Sequence, residues 1–217
     1  MREAVIAQIL DRKLLAIVRG IRDEGQCLQV AQAIFAGGID LIEVTFDQSS
    51  PERFQDTAKA IRAINTHMAD QMCVGAGTVL TPDQVKMAAD AGAKYIISPN
   101  WNERVIKTTR DLGLVSIPGV LTPSEIIQAF EAGADFAKLF PAGQLGSDYI
   151  KAIKSPLSHL KMLAVGGIDA ANIPDFLAAG CDGFGIGGNL ANKAWIETGQ
   201  YERITNVAAA LRGAVGL

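Results

Sequence analysis

Residues 132–140 read AGADFAKLF, and variants of the same phrase occur at 36–40 (AGGID), 91–98 (AGAKYIIS) and 179–187 (AGCDGFGIG). In each, Ala-Gly closes a helical stretch, the glycine suits the left-handed position after a helix, and an apolar strand comes next. The phrase therefore reads as an α-to-β turn used four times. Gly38, Gly92, Gly133 and Gly180 stand 54, 41 and 47 residues apart, so each interval has room for two strand and helix alternations.

Apolar strand candidates between these turns fall at 14–19, 39–45, 72–77, 94–98, 114–117, 135–140, 161–165 and 182–187. Several intervening helices open on a capping signal: Ser50-Pro51-Glu52, Thr81-Pro82-Asp83, Thr122-Pro123-Ser124-Glu125 and Asp169. Eight alternations predict an α/β fold, a (β/α)8 TIM barrel forming one domain over residues 1–217, with an extra N-terminal helix at 2–12 closing its bottom. A doubly wound open sheet is the alternative, but it calls for a glycine fingerprint after the first strand. Val18 instead runs into Arg19-Gly20-Ile21-Arg22.

Composition agrees with one large core. The 217 residues are 49% hydrophobic and 20% charged, with no low-complexity linker. A net charge of −3 without a basic block argues against nucleic acid or an anionic membrane as partner, while a single pocket can still take a small anion. The opening MREAVIAQILDRK lacks the uncharged core of a signal peptide, and no apolar run reaches about 18 residues, so the expectation is a cytoplasmic protein. Cys27, Cys73 and Cys181 are odd in number and far apart, which indicates reduced packing residues rather than a disulfide framework or a zinc site.

Barrel active sites gather where strands meet their C-terminal loops. Those ends carry Arg19, Glu43 and Thr45, Gly77 and Thr78, Ser98 and Pro99, Pro118 and Gly119, Lys138 and Phe140, Gly166 and Gly167, and Gly187, Gly188 and Asn189. Polar or glycine residues at every strand end point to a ring around a polar ligand.

Strand alternation puts Glu43 and Thr45 on one face, and Lys138 and Phe140 on one face. Two readings of Glu43 and Lys138 stand side by side. They form a buried ion pair that holds strands together, or the lysine, its pKa lowered by an apolar site, attacks a carbonyl as a neutral amine and forms a Schiff base. Glu43 would then move protons. The glycine pairs in AVGGID (164–169) and GIGGNL (185–190) are either ordinary turns or a phosphate site built from backbone N–H groups. Thr78, in GAGTV, is a ligand hydroxyl or part of a turn before a helix, and Arg19 binds an anion or pairs with Glu43. His67 and His159 read as surface residues, and Trp101 and Trp195 as packing residues.

As a set, AIVRG (16–20), IEVTF (42–46), VGAGTVLTP (74–82), IISPN (96–100), SIPGVLTPSE (116–125), AKLFPA (137–142), AVGGI (164–168) and GIGGNL (185–190) resemble the 2-dehydro-3-deoxy-phosphogluconate and 4-hydroxy-2-oxoglutarate aldolases. These are class I pyruvate aldolases, small trimeric barrels. The resemblance implies Lys138 as Schiff-base lysine and Glu43 as acid/base residue. It also implies Thr78 and the Pro99 segment at the pyruvyl carboxylate, Phe140 against the pyruvyl portion, and Gly166, Gly167, Gly188 and Asn189 at a phosphate. It implies a phosphorylated keto acid substrate, a homotrimer, and no metal or organic cofactor. Two positions depart from the gluconate branch: Asp47 stands where that branch commonly has a carboxylate-clamping arginine, with Arg19 as the candidate substitute, and Asn189 stands where it often has serine. The galactonate-preferring branch also lacks that arginine. An isomerase or synthase that uses Lys138 only as an electrostatic clamp, and a non-catalytic sugar-acid phosphate binder, are the competing classes.

Overall fold

A computed structural model describes residues 1–217. Its strands are β1 (Leu14–Val18), β2 (Leu41–Thr45), β3 (Cys73–Gly77), β4 (Tyr95–Ile97), β5 (Val115–Ile117), β6 (Gly119–Val120), β7 (Ala137–Leu139), β8 (Met162–Val165) and β9 (Gly183–Ile186). The helices are α1 (Arg2–Arg12), α2 (Glu24–Ala36), α3 (Phe54–Met68), α4 (Pro82–Asp90), α5 (Glu103–Asp111), α6 (Pro123–Glu131), α7 (Ala142–Leu145), α8 (Ser147–Lys154), α9 (Ile173–Ala178), α10 (Lys193–Glu197) and α11 (Tyr201–Ala214).

All pairings are parallel, in the order β5-β4-β3-β2-β1-β9-β8-β7-β6. The two ends of that order are neighbours in the chain, separated only by Pro118, so β5 and β6 are halves of one strand and the sheet closes as an eight-stranded barrel. This corrects the fifth strand, expected to stop at residue 117. Pro118 has no N–H to give, which interrupts the ladder, but its carbonyl accepts the Lys138 N–H at 2.9 Å and Gly119 pairs with Lys138. Pro118 and Gly119 thus lie within the barrel wall.

The repeated turn behaves as its sequence predicts. At Gly38, Gly92, Gly133 and Gly180 φ is positive, and the next residue bonds back five positions, as Ala93 N–H does to Ala88. Gly113 makes a fifth such turn, hidden from the phrase because leucine precedes it. Thr81 and Thr122 cap α4 and α6, the latter in a capping box with Glu125. Ser50 and Asp169 do not cap as expected. The Ser50 hydroxyl turns to Glu52, and Asp169 accepts from the N–H groups of Ala171 and Asn172, one turn ahead of α9.

Side chains fill the barrel in layers. Val5, Ile6 and Ile9 of α1 pack against Leu15, Leu41, Tyr95, Val115, Phe136 and Leu163, so the N-terminal helix does plug the bottom. Asp135 secures that end: buried, it accepts the Ser116 N–H at 2.9 Å and pairs with Arg110 at 2.9 Å and with Arg2 of α1. No helix is long and apolar enough to cross a membrane.

Candidate active site

Above the apolar bottom layer two charged side chains enter an otherwise apolar interior. On β2 the inward column runs Leu41, Glu43, Thr45, and on the β7 side it runs Phe136, Lys138, Phe140. Glu43 is 1% exposed and Lys138 6%. The two strands stand opposite each other, four steps apart either way round the barrel. Glu43 and Lys138 share the lining of a void of about 10 Å³, roughly the minimum for one water. No ion pair joins them within 4.0 Å, and Glu43 Oε2 is buried without a hydrogen-bond partner. The same geometry sets aside the scaffold pairing of Arg19 with Glu43. Gly77 makes room for the carboxylate: a Cβ there would lie 2.5 Å from Glu43 Oε1.

Burial moves both groups toward neutrality. It pushes Glu43 above the usual carboxylate value, while Lys138 and then Arg19 pull the other way. It pulls Lys138 below the usual ammonium value, opposed by Glu43 and aided by Arg19. Lys138 Nζ lies 5.2 Å from the centre of the Phe140 ring, which is 40% exposed. A lysine so held is suited to nucleophilic attack. The thiols of Cys27, Cys73 and Cys181 are not, since burial pushes each up to about 12.

Lys138 opens into a cavity of about 560 Å³ at the C-terminal end of the barrel. Arg19, Phe140, Gly166, Gly167, Gly188 and Asn189 line it, so most of the sequence-expected site residues converge there. The N–H groups of Gly166, Gly167, Ile168, Gly187, Gly188 and Asn189 find no acceptor in the protein, leaving two donor-rich turns around an open space. Lys193, unremarked in the sequence, adds an exposed cation 3.6 Å from Glu197. The Asn189 side chain does not reach into the cavity as a free donor, because its Nδ2 gives a 3.0 Å bond to the Ile168 carbonyl.

Thr78 and Pro99 lie apart from that cavity. Thr78 lines a separate 320 Å³ alcove with Thr45, Asp47 and Gln48, and Arg19 and Gly20 form the wall common to both spaces. Pro99 is exposed and packs by its backbone against Gly119, lining neither. Asp47 is turned to its own loop: hydrogen bonds from Ser49 hold its carboxyl below the usual range, helped by Arg53 at 3.5 Å and by Arg22.

Sequence reading missed the residues that hold Thr78. Its φ is 54°, left-handed for a non-glycine residue. Gln48 Nε2 donates to the Thr78 carbonyl at 2.7 Å, Gln84 Nε2 donates to Gln48 Oε1 at 3.0 Å, and Gln84 Oε1 accepts the Leu80 N–H at 2.7 Å. Gln84 is buried. Nothing local marks it, because glutamine in the first turn of a helix is ordinarily solvated. His67 and His159 are exposed, and Trp101 and Trp195 are half-buried against the core, as expected. A larger cleft of 640 Å³ opens at the other end of the barrel beside Asp40, Cys73 and Lys94, remote from Lys138.

A family model described as KDPG and KHG aldolase matches residues 5–207. The chain is 39% identical over 183 residues to a probable 2-dehydro-3-deoxy-6-phosphogalactonate aldolase of Rhizobium meliloti, covering 83% of this chain and 82% of that one. It is 37% identical over 184 residues to the KHG/KDPG aldolase of Escherichia coli, covering 82% and 81%. A crystal structure of the KDPG aldolase from Legionella pneumophila, with pyruvate captured as a covalent carbinolamine intermediate, matches with a TM-score of 0.83 at 27% identity over 95% of this chain and 97% of that one. Closed barrel, buried unpaired lysine and donor-rich turns agree with these matches, and the chain belongs to the KDPG and KHG aldolase family.

Proposed function

We propose that this protein is a class I aldolase, a carbon–carbon lyase that cleaves a 2-keto-3-deoxy sugar-acid 6-phosphate of the gluconate type, or 4-hydroxy-2-oxoglutarate, to pyruvate and an aldehyde. The observation that carries this reading is Lys138, buried without an ion pair and opening on a cavity rimmed by free backbone donors. Its neutral amine adds to the C2 ketone to give a carbinolamine, which loses water to form an iminium. Removal of the C4 hydroxyl proton breaks the C3–C4 bond, releases the aldehyde and sends the electron pair into the iminium, giving an enamine. Protonation at C3 and hydrolysis then release pyruvate and restore the amine.

In this reading Glu43 moves the protons, its raised pKa suiting it to give as well as take. Arg19, which lines both spaces, holds the carboxylate with Thr78 reaching it from the adjoining alcove, Phe140 packs on the pyruvyl portion, and the Gly166–Gly167 and Gly188–Asn189 turns bind phosphate. Pro99, which lines neither space, acts only through the backbone it packs against Gly119. The working form is a homotrimer, which light scattering would check, and the compartment is the cytoplasm, which suits three free cysteines. Incubation with pyruvate, borohydride reduction and mass mapping test the chemistry. The expected result is an adduct on Lys138. Labelling of no lysine, or turnover that survives Lys138→Arg, would instead favour an isomerase or a mere binder.

A second reading, preference for the galactonate epimer, is supported by Asp47 in place of an arginine and by galactonate-type relatives at 39% and 38% identity. Cleavage rates on the two epimers and on 4-hydroxy-2-oxoglutarate decide between them.

A further inference from the structure

The turn after β8 is held by Gly143 and Asn172, which do not line the cavity, and by Asn189, which does. Gly166 and Gly167 both have positive φ, 88° and 75°. The Gly166 carbonyl accepts the Gly143 N–H at 2.7 Å, the Gly167 carbonyl accepts Asn172 Nδ2 at 2.8 Å, and the Ile168 carbonyl accepts Asn189 Nδ2 at 3.0 Å. Asn172 also takes the Asp169 N–H on its Oδ1 at 3.0 Å. Three consecutive carbonyls are thus engaged. A trans peptide unit points its N–H opposite to its C=O, so pulling the Gly166 and Gly167 carbonyls rearward turns the N–H groups of Gly167 and Ile168 forward. Those N–H groups have no acceptor in the protein, and both residues line the cavity, whereas Asn172 and Gly143 do not.

We propose that Asn172, together with the Asn189 side chain, is a positioning residue that fixes the 166–168 turn so that its backbone donors are preset for an anionic phosphate. This rests on the reading of that turn as the phosphate site. It also changes the part taken by Asn189, whose amide braces the neighbouring turn rather than serving as a free ligand. Preset donors avoid the cost of reorganising the loop when the anion arrives, so loss of the brace falls on binding of the phosphorylated group and not on the chemistry at Lys138. Gly143 is part of the same support: a Cβ there would lie 2.7 Å from the Gly167 oxygen and 2.8 Å from the Gly166 oxygen.

Asn172→Asp separates bracing from simple capping. It keeps an acceptor for the Asp169 N–H but loses the donor to the Gly167 carbonyl, and because its added charge would itself repel an anion, the uncharged Asn172→Ala must show the same effect. The brace predicts that both Asn172→Asp and Asn172→Ala raise KM for the phosphorylated substrate about tenfold or more. KM for unphosphorylated 4-hydroxy-2-oxoglutarate and kcat on either substrate should move less than about threefold. The inhibition constant of inorganic phosphate should rise in parallel. Gly143→Ala, which displaces the turn sterically, should give the same split and serves if the Asn172 variants fold poorly. If inorganic phosphate does not compete in the native enzyme, the phosphate reading falls and the brace with it. If it competes natively and equally in Asn172→Asp, or if KM rises alike for both substrates, the brace alone is refuted.

Discussion

Glu43 and Lys138 are both buried on opposite walls of the barrel, yet make no ion pair. A structural salt bridge would bring them into contact and hold both charges. The gap instead leaves each group shifted toward its neutral form by burial and coupled to the other only through the field, which is what the proposed proton traffic with a substrate requires.

The coupling has a sign that can be measured. The Glu43 charge opposes the lowering of the Lys138 pKa and the Arg19 charge assists it. In borohydride trapping with pyruvate across a pH series, Glu43→Gln should therefore move the midpoint of Lys138 labelling to lower pH, and Arg19→Gln to higher pH. Midpoints that stay fixed, or that both move the same way, would contradict the electrostatic account.

Two buried ionisable groups without an ion pair between them also weaken the fold. The double variant Lys138→Met with Glu43→Gln should be inactive and more stable at neutral pH by about 0.5–2 kcal/mol, the usual scale when a functional compromise is removed. The lysine pKa is lowered on folding, so that part of the gain is present below the ordinary lysine value of 10.5 and fades as pH rises toward it. The glutamate pKa is raised, so its part is absent below 4.5 and appears as pH rises above it. Urea denaturation from pH 4 to pH 10 should trace a gain largest in the middle of the range.

Gln84→Leu removes the centre of the relay that supports Thr78, leaving the Leu80 N–H and Gln48 Oε1 without their partners. A loss of about 1–3 kcal/mol in unfolding free energy is expected for such unsatisfied groups. Pyruvate affinity should fall with it, because the left-handed backbone at Thr78 loses its support. Calorimetric pyruvate binding that matches the native protein would separate Thr78 from the ligand.

Asp135→Ala should cost about 2–4 kcal/mol, since it strands the buried Ser116 N–H and unties Arg2 and Arg110 from the barrel end. Imine formation at Lys138 should persist under conditions where the variant remains folded, because Asp135 lies at the bottom of the barrel. Denaturation and trapping on one preparation would show both.

The barrel and its inward-facing residues were legible in the chain alone because they are encoded locally. A glycine after five of the helices, a period of two in each strand and a threonine ahead of α4 and α6 depend on neighbours a few residues away, and they suffice to turn Glu43, Lys138 and Phe140 inward. The passage of the fifth strand through Pro118 was not legible, because it depends on a bond accepted from Lys138 across the barrel wall. Nor was the gap between Glu43 and Lys138, which is set by how eight strands close. The supports of the site, Gln48 on Thr78 and Asn189 on Ile168, join residues 30 and 21 positions apart. Alternation states which way a side chain points, and only the closed fold decides what it meets there.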